Sequence, residues 1–172
     1  PTYFARDATL EQFIARLVRH PLLFHPGTHC WYSGSFDLLG YLVEVVSGMP
    51  FDEFLRSRVL LPLGMVDTDF WVPPEKAHRL ADLMVMNGTS MPSVKAPEWE
   101  FAGNNYKVNP VLKLGGSGMV STAQDYMHFL LFLYNSGMHE GQRILRADLV
   151  EKFFENALPE LRPFELNRVQ HE

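Results

Sequence analysis

The amino-acid sequence taken alone predicts a mostly helical unit, compatible with being part of a larger mixed fold. Three observations lead there. Five stretches repeat apolar residues at the helical period, clear strand alternation is scarce, and residues 66–118 form a long, loosely patterned middle. That middle is interrupted by Pro73, Pro74, Pro92, Pro97 and Pro110, with turn pairs at 87–88 and 103–104. A loop region of that length inside one domain either serves function or hides short strands.

The elements follow in order. "DATLEQFIARLVRH" puts Leu10, Phe13, Ile14, Leu17 and Val18 on one helical face, and Thr9 with Gln12 forms a capping box before it. Pro21, Pro26 and Gly27 then enforce an irregular link. Ser35 is placed to cap "FDLLGYLVEVV", a helix so apolar that burial is expected on nearly all sides, ending at Ser47 and Gly48. Pro50 suits the first turn of "PFDEFLRSRVLL", and Pro62 and Gly64 stop it. Thr122 and Asp125 start the helix of "STAQDYMHFLLFLYNSG", with Phe129, Leu130 and Leu133 as its buried stripe and Gly137 as its stop. "ADLVEKFFEN" gives a last short helix presenting Leu149, Val150, Phe153 and Phe154 on one face.

Composition bounds the function. At 172 residues, 47% hydrophobic and 20% charged, the chain has the size and composition of one globular domain. A net charge of −5 without a basic run argues against a nucleic-acid partner. The apolar runs are too short for a membrane span, and a single cysteine cannot form an internal disulfide.

"HPGTHCWYSGS" at 25–35 concentrates the reactive residue types. His25 and His29 have a spacing that would put two metal ligands on a helix face, but Pro26 and Gly27 forbid that helix. Cys30 completes no zinc pattern, so no metal is expected. "GGSGMVST" at 115–122 lacks phosphate-loop spacing, and Ser117 lacks the second glycine of a nucleophile elbow; it reads as a tight turn before a helix. Ser33 reads as a turn hydroxyl and Ser35 as a cap. Tyr32 stands just before a helix start, where the positive end of the helix dipole favours an anion. A phenol with an ordinary pKa of about 10 becomes a useful base only in such surroundings. On this argument alone, packing remains the more common use of a tyrosine.

The block "FHPGTHCWYSGSFDLLGYLVEVVSGMPFDEFLRSRVLLPLGMVDTDFW" resembles the serine β-lactamase-related superfamily, in which a Pro-Gly-Thr-x-x-x-Tyr-Ser turn leads into a buried helix and then to Pro-Leu-Gly-Met. "GGSGMVSTAQDYMHFLLFLYNSG" and "ILRADLVEKF" resemble later segments of the same superfamily, in the same order. The resemblance implies a β-lactamase/transpeptidase-like α+β fold, of which this chain is mostly the helical domain plus loop-rich and short-strand segments. It also implies acyl transfer by a serine of a Ser-x-x-Lys motif, with a tyrosine and the lysine moving protons and no cofactor. Tyr32 matches the catalytic tyrosine, and Ser33 and Gly34 occupy substrate-binding positions.

Departures from the pattern carry information. No serine here has lysine three positions later, and no Lys-Ser/Thr-Gly occurs; His25 with Gly27 and His139 with Gly141 match His-x-Gly only as strings in turns. Pro1 and Glu172 are therefore expected to be cut points, with 1–172 the central part of a longer domain that holds the Ser-x-x-Lys segment before it and further strands after it. Gly34 replaces the asparagine with which β-lactamases bind a substrate amide, and Asp37 to Gly40 look like the esterase branch, the family VIII carboxylesterases. The expected activity is that of a carboxylesterase on small esters. β-Lactamase or D-amino-acid peptidase activity is the alternative within the superfamily, and a catalytically incomplete binding module the alternative outside it.

Overall fold

The computed structural model describes residues 7–28, 33–82, 84–85, 94–95 and 106–157. The turns expected at 87–88 and 103–104 lie outside these residues. Helix α1 (Leu10–Leu17) begins as its sequence requires. The Gln12 amide donates to Thr9 Oγ1 at 3.2 Å and the Thr9 amide to Gln12 Oε1 at 3.1 Å, so two backbone donors without helical partners are satisfied reciprocally. Leu10, Phe13 and Ile14 are buried. Val18, expected on the same face, is instead exposed, because it is the C-cap, where the chain leaves the helix.

Helix α2 (Ser35–Ser47) departs from expectation twice. Its N-cap is Gly34, with no side-chain cap, and Ser35 is the first helical residue. Its apolar surface is also largely open. Among the described residues only Asp37 and Gly40 of this helix are buried, while Phe36, Leu42 and Val46 are exposed, Val46 at 78%. The reason is geometric: α2 has apolar residues on several sides, and its helical neighbours α1 and α3 cover only part of its girth.

Helix α3 (Phe51–Leu55) starts one residue after Pro50, which is its N-cap and not part of its first turn. Glu44 of α2 reaches across to accept the Phe51 amide at 2.9 Å, capping α3 from the preceding helix. The single helix expected over 50–61 then widens into a π-helical turn (Arg56–Leu60), closed by the Leu61 amide on the Arg56 carbonyl at 2.9 Å. A 3₁₀ helix (Pro74–Arg79) and a two-residue antiparallel pair, β1 (Met84–Val85) with β2 (Val94–Lys95), occupy the loosely patterned middle.

Helix α4 (Ala123–Tyr134) has the expected cap, Thr122 Oγ1 accepting the Asp125 amide. Phe129 and Leu133 are half-buried as the stripe requires, but Leu130 is exposed, and the buried apolar residue is Phe132. The hairpin β3 (Met138–His139) with β4 (Gln142–Arg143) follows. Gly137 before it, at φ +86°, brings its α-carbon so near the Leu145 carbonyl that a Cβ would lie 2.1 Å from that oxygen. The last helix, α5 (Ala147–Glu151), buries Val150. Phe153 and Phe154, expected beside it, lie beyond the helix and are exposed.

Two apolar clusters hold these parts. Leu10, Phe13 and Ile14 meet Phe51, Phe70 and Leu112 in one. Leu60, Leu63, Met65 and Phe132 form the other, and Leu55 borders both. Leu63 is fully buried, a contribution of about 2 kcal/mol relative to exposure.

Candidate active site

Tyr32, His29 and Cys30 lie outside the described residues, so the site is built from what flanks them. Upstream, the turn at Pro26 and Gly27 is closed by the Thr28 amide and Thr28 Oγ1, both donating to the His25 carbonyl, at 3.1 and 2.7 Å. His25 is exposed. Downstream, Ser33 is exposed, with its Oγ 3.1 Å from Ser35 Oγ, and Gly34 is half-buried. Gly34 has φ −68°, a value any residue adopts, so its backbone does not require glycine. The Gly34 carbonyl accepts the Asp37 and Leu38 amides at 3.1 and 3.2 Å, fixing the first turn of α2.

Onto that turn docks the glycine-rich loop at 115–118. Asp37, only 6% exposed, accepts the Gly116 amide through Oδ1 at 2.9 Å. Gly115 comes closer still: a Cβ there would stand 2.1 Å from the Phe36 carbonyl oxygen, a distance no side chain tolerates. The tight turn expected at 115–122 thus also packs against the first turn of α2. Sequence reasoning passed over Asp37, Gly115 and Gly116 in this role. The available signal was Asp37 itself, a carboxylate in an otherwise apolar helix, costly to bury without a donor aimed at it.

The loop is anchored at both ends. Before it, buried Lys113 donates to Asn109 Oδ1 and to the Pro110 carbonyl, lies 3.5 Å from Asp52 Oδ2, and sits over the Phe70 ring. After it, Val120 and Asp69 exchange backbone hydrogen bonds at 2.8 and 3.2 Å. Asp125, 3% exposed, then accepts the Asp67 amide and Thr68 Oγ1 at 2.8 and 2.7 Å, and Thr68 Oγ1 also meets Ser121 Oγ. Asp67 in turn receives Lys76 and Arg79. Hydrogen bonds from Lys76 first, then Arg79, hold its carboxyl below the usual value.

Other features stand apart. A cleft of about 780 Å³ opens at the far end of α2, beside Glu44, Gly48 and Asp52, where Lys113 is already engaged. His139 lies in β3 against the His128 ring, at the hairpin where the sequence places a turn. Among the described residues no three His, Cys, Asp or Glu side chains converge on a common point as a metal would require.

The beta-lactamase family profile matches residues 1–168. Protein Rv1367c of Mycobacterium tuberculosis is 30% identical over 81% of this chain and 34% of its own length. Lovastatin esterase of Penicillium rubens is 28% identical over 86% of this chain and 35% of its own. The structure of simvastatin synthase from Aspergillus terreus superposes with a TM-score of 0.68 at 21% identity, covering 88% of this chain and 39% of that one. The chain spans about a third of the length of the curated relatives it matches. The fold is the α+β fold of the β-lactamases and penicillin-binding proteins, represented here by a helix-rich part with few strands, and the chain belongs to the beta-lactamase family.

Proposed function

We propose that residues 1–172 form the central part of a serine hydrolase that works through an acyl-enzyme, and that its substrates are small carboxylic esters. The nucleophilic serine and its lysine come from a segment outside this chain. Tyr32 is the proton-transfer residue. As the serine hydroxyl attacks the ester carbonyl, the phenolate takes the hydroxyl proton; as the C–O bond to the alcohol breaks, the phenol returns a proton to the departing alkoxide. Water then attacks the acyl-serine with the same residue as base, and as the acyl C–O bond to serine breaks the phenol returns the proton to the serine oxygen, releasing the carboxylic acid.

The observation that carries this reading is the docking of the loop at 115–116 onto the first turn of α2. It fixes the chain four and five residues after Tyr32, at the helix end whose dipole favours phenolate. Ser33 and Gly34 line the substrate side, and the missing side chain at Gly34 favours esters over β-lactams or D-amino-acid amides, since no side-chain amide is present to bind the substrate's own. The similarity to lovastatin esterase supports the same choice.

The test is turnover of one short-chain p-nitrophenyl ester by full-length enzyme and its Tyr32→Phe variant at matched thermal stability. Loss of the phenol oxygen should lower turnover by about 10²- to 10⁴-fold. Equal rates would make Tyr32 a packing residue and remove the proposed mechanism. A full-length protein without turnover of any ester would favour the binding-module alternative.

A further inference from the structure

We propose that Asp37 is a positioning residue for this reaction, holding the first turn of α2, and the residues just before it, in register with the loop at 115–116. The inference rests on the proton-transfer reading of Tyr32. Two separate contacts carry it. The first is the buried Asp37 carboxylate on the Gly116 amide at 2.9 Å, a link between residues 79 apart in sequence. Burying a carboxylate costs several kcal/mol unless donors meet it, so the residue is poorly explained as packing. The second is the approach of Gly115 to the Phe36 carbonyl, which brings backbone against backbone on the same turn.

The linkage then runs by short steps. The Gly116 amide is held by the Asp37 side chain, the Asp37 amide is held by the Gly34 carbonyl, and Gly34 is two residues from Tyr32. The loop is held back if the helix shifts, because the Lys113–Asp52 ion pair and the Val120–Asp69 pair tie its two ends to other parts of the fold. Reacting groups must be held to within about 0.5 Å, and a misplacement of about 1 Å costs up to about 10²-fold in rate. Asp37 would therefore act chiefly on the chemical step, since Gly34, the substrate-side residue it holds, offers the substrate no side chain to misplace.

The experiment measures kcat, KM and Tm of the full-length enzyme on one short-chain ester, for wild type, Asp37→Ala, Asp37→Asn and Tyr32→Phe. Asp37→Ala should lose about 10- to 100-fold in kcat with KM within about twofold. Asp37→Asn keeps an acceptor at the same place and should return kcat to within about threefold of wild type. Asp37→Ala at the wild-type kcat, a change confined to KM, or an Asn variant as slow as Ala would each overturn the proposal. If Asp37→Ala does not fold, Asp37→Glu decides: it moves the acceptor by one methylene and should be slow, and a wild-type rate refutes positioning. A slow Tyr32→Phe with a fast Asp37→Ala refutes this inference alone. A wild-type enzyme without ester turnover, or a Tyr32→Phe variant at the wild-type rate, refutes the underlying mechanism and this inference with it.

Discussion

Replacing Gly115 with alanine adds one methyl group, and its expected effect follows from a single contact. The new Cβ would lie 2.1 Å from the Phe36 carbonyl oxygen, about 1 Å inside ordinary carbon–oxygen contact. The oxygen belongs to the first turn of α2 and cannot rotate away as a side chain would, so loop and helix must separate by a comparable distance. That separation would stretch the 2.9 Å bond from the Gly116 amide to Asp37 beyond hydrogen-bond range. Overpacking costs about 1–3 kcal/mol, and loss of a hydrogen bond to a charged group about 1.5–3. The lower entropy of the unfolded alanine chain offsets about 0.4–1. Since these contributions overlap, the net expectation is destabilisation by about 2–4 kcal/mol. Gly116→Ala is the control: its Cβ would make only contacts of 3.4 Å or longer, so a change of about 0.5 kcal/mol or less is expected. The assay is urea unfolding of the full-length protein followed by tryptophan fluorescence, with the slope compared between variants. A Gly115→Ala variant as stable as Gly116→Ala would show that the loop does not press on the helix.

Two further outcomes are expected. Lys76 and Arg79 lower the pKa of Asp67 from its ordinary 3.8, so this carboxylate stabilises the fold above that pH and stops doing so as the pH falls through its depressed value. The Tm advantage of wild type over Asp67→Asn should thus shrink with acidification below about pH 4, and also in high salt; an advantage that grows with acid would contradict the assignment. The 172-residue chain expressed alone should bind a hydrophobic dye and self-associate through the open face of α2, and should show no ester turnover. A monodisperse, dye-free monomer, or turnover that survives Tyr32→Phe, would refute that expectation.

Much of the helical framework was legible because its signals are local. Thr9 with Gln12 and Thr122 with Asp125 mark helix starts within four residues, and both caps form. The start of α2 was misplaced by one because Gly34 caps without a side chain, and the neighbouring serine looked like the better cap. The π turn after α3 left no trace, since one extra residue in a turn leaves Leu55, Val59 and Leu60 at spacings an α-helix also uses. Strands of two residues, as in both antiparallel pairs, are too short for alternation to show.

The site was less legible than the fold, for a reason of distance. The residues of 32–34 were visible because they are consecutive in sequence, whereas Asp37 stands out only within the family resemblance. Its partner Gly116 is 79 residues away, and glycine carries no chemistry for a motif search to find. Only the two facts together have meaning: an acid in an apolar helix and a pair of glycines that leave room for a backbone amide to reach it. A buried Asp37 in an otherwise apolar helix is costly to desolvate, and the Gly116 amide aimed at it offsets that cost while ordering the α2 start. The helix end that follows Tyr32 is where such order would matter to proton transfer. The same side chain therefore links the fold to the proposed chemistry, and the Asp37 and Gly115 variants perturb that link from opposite sides, one by removing the acceptor and the other by displacing the donor.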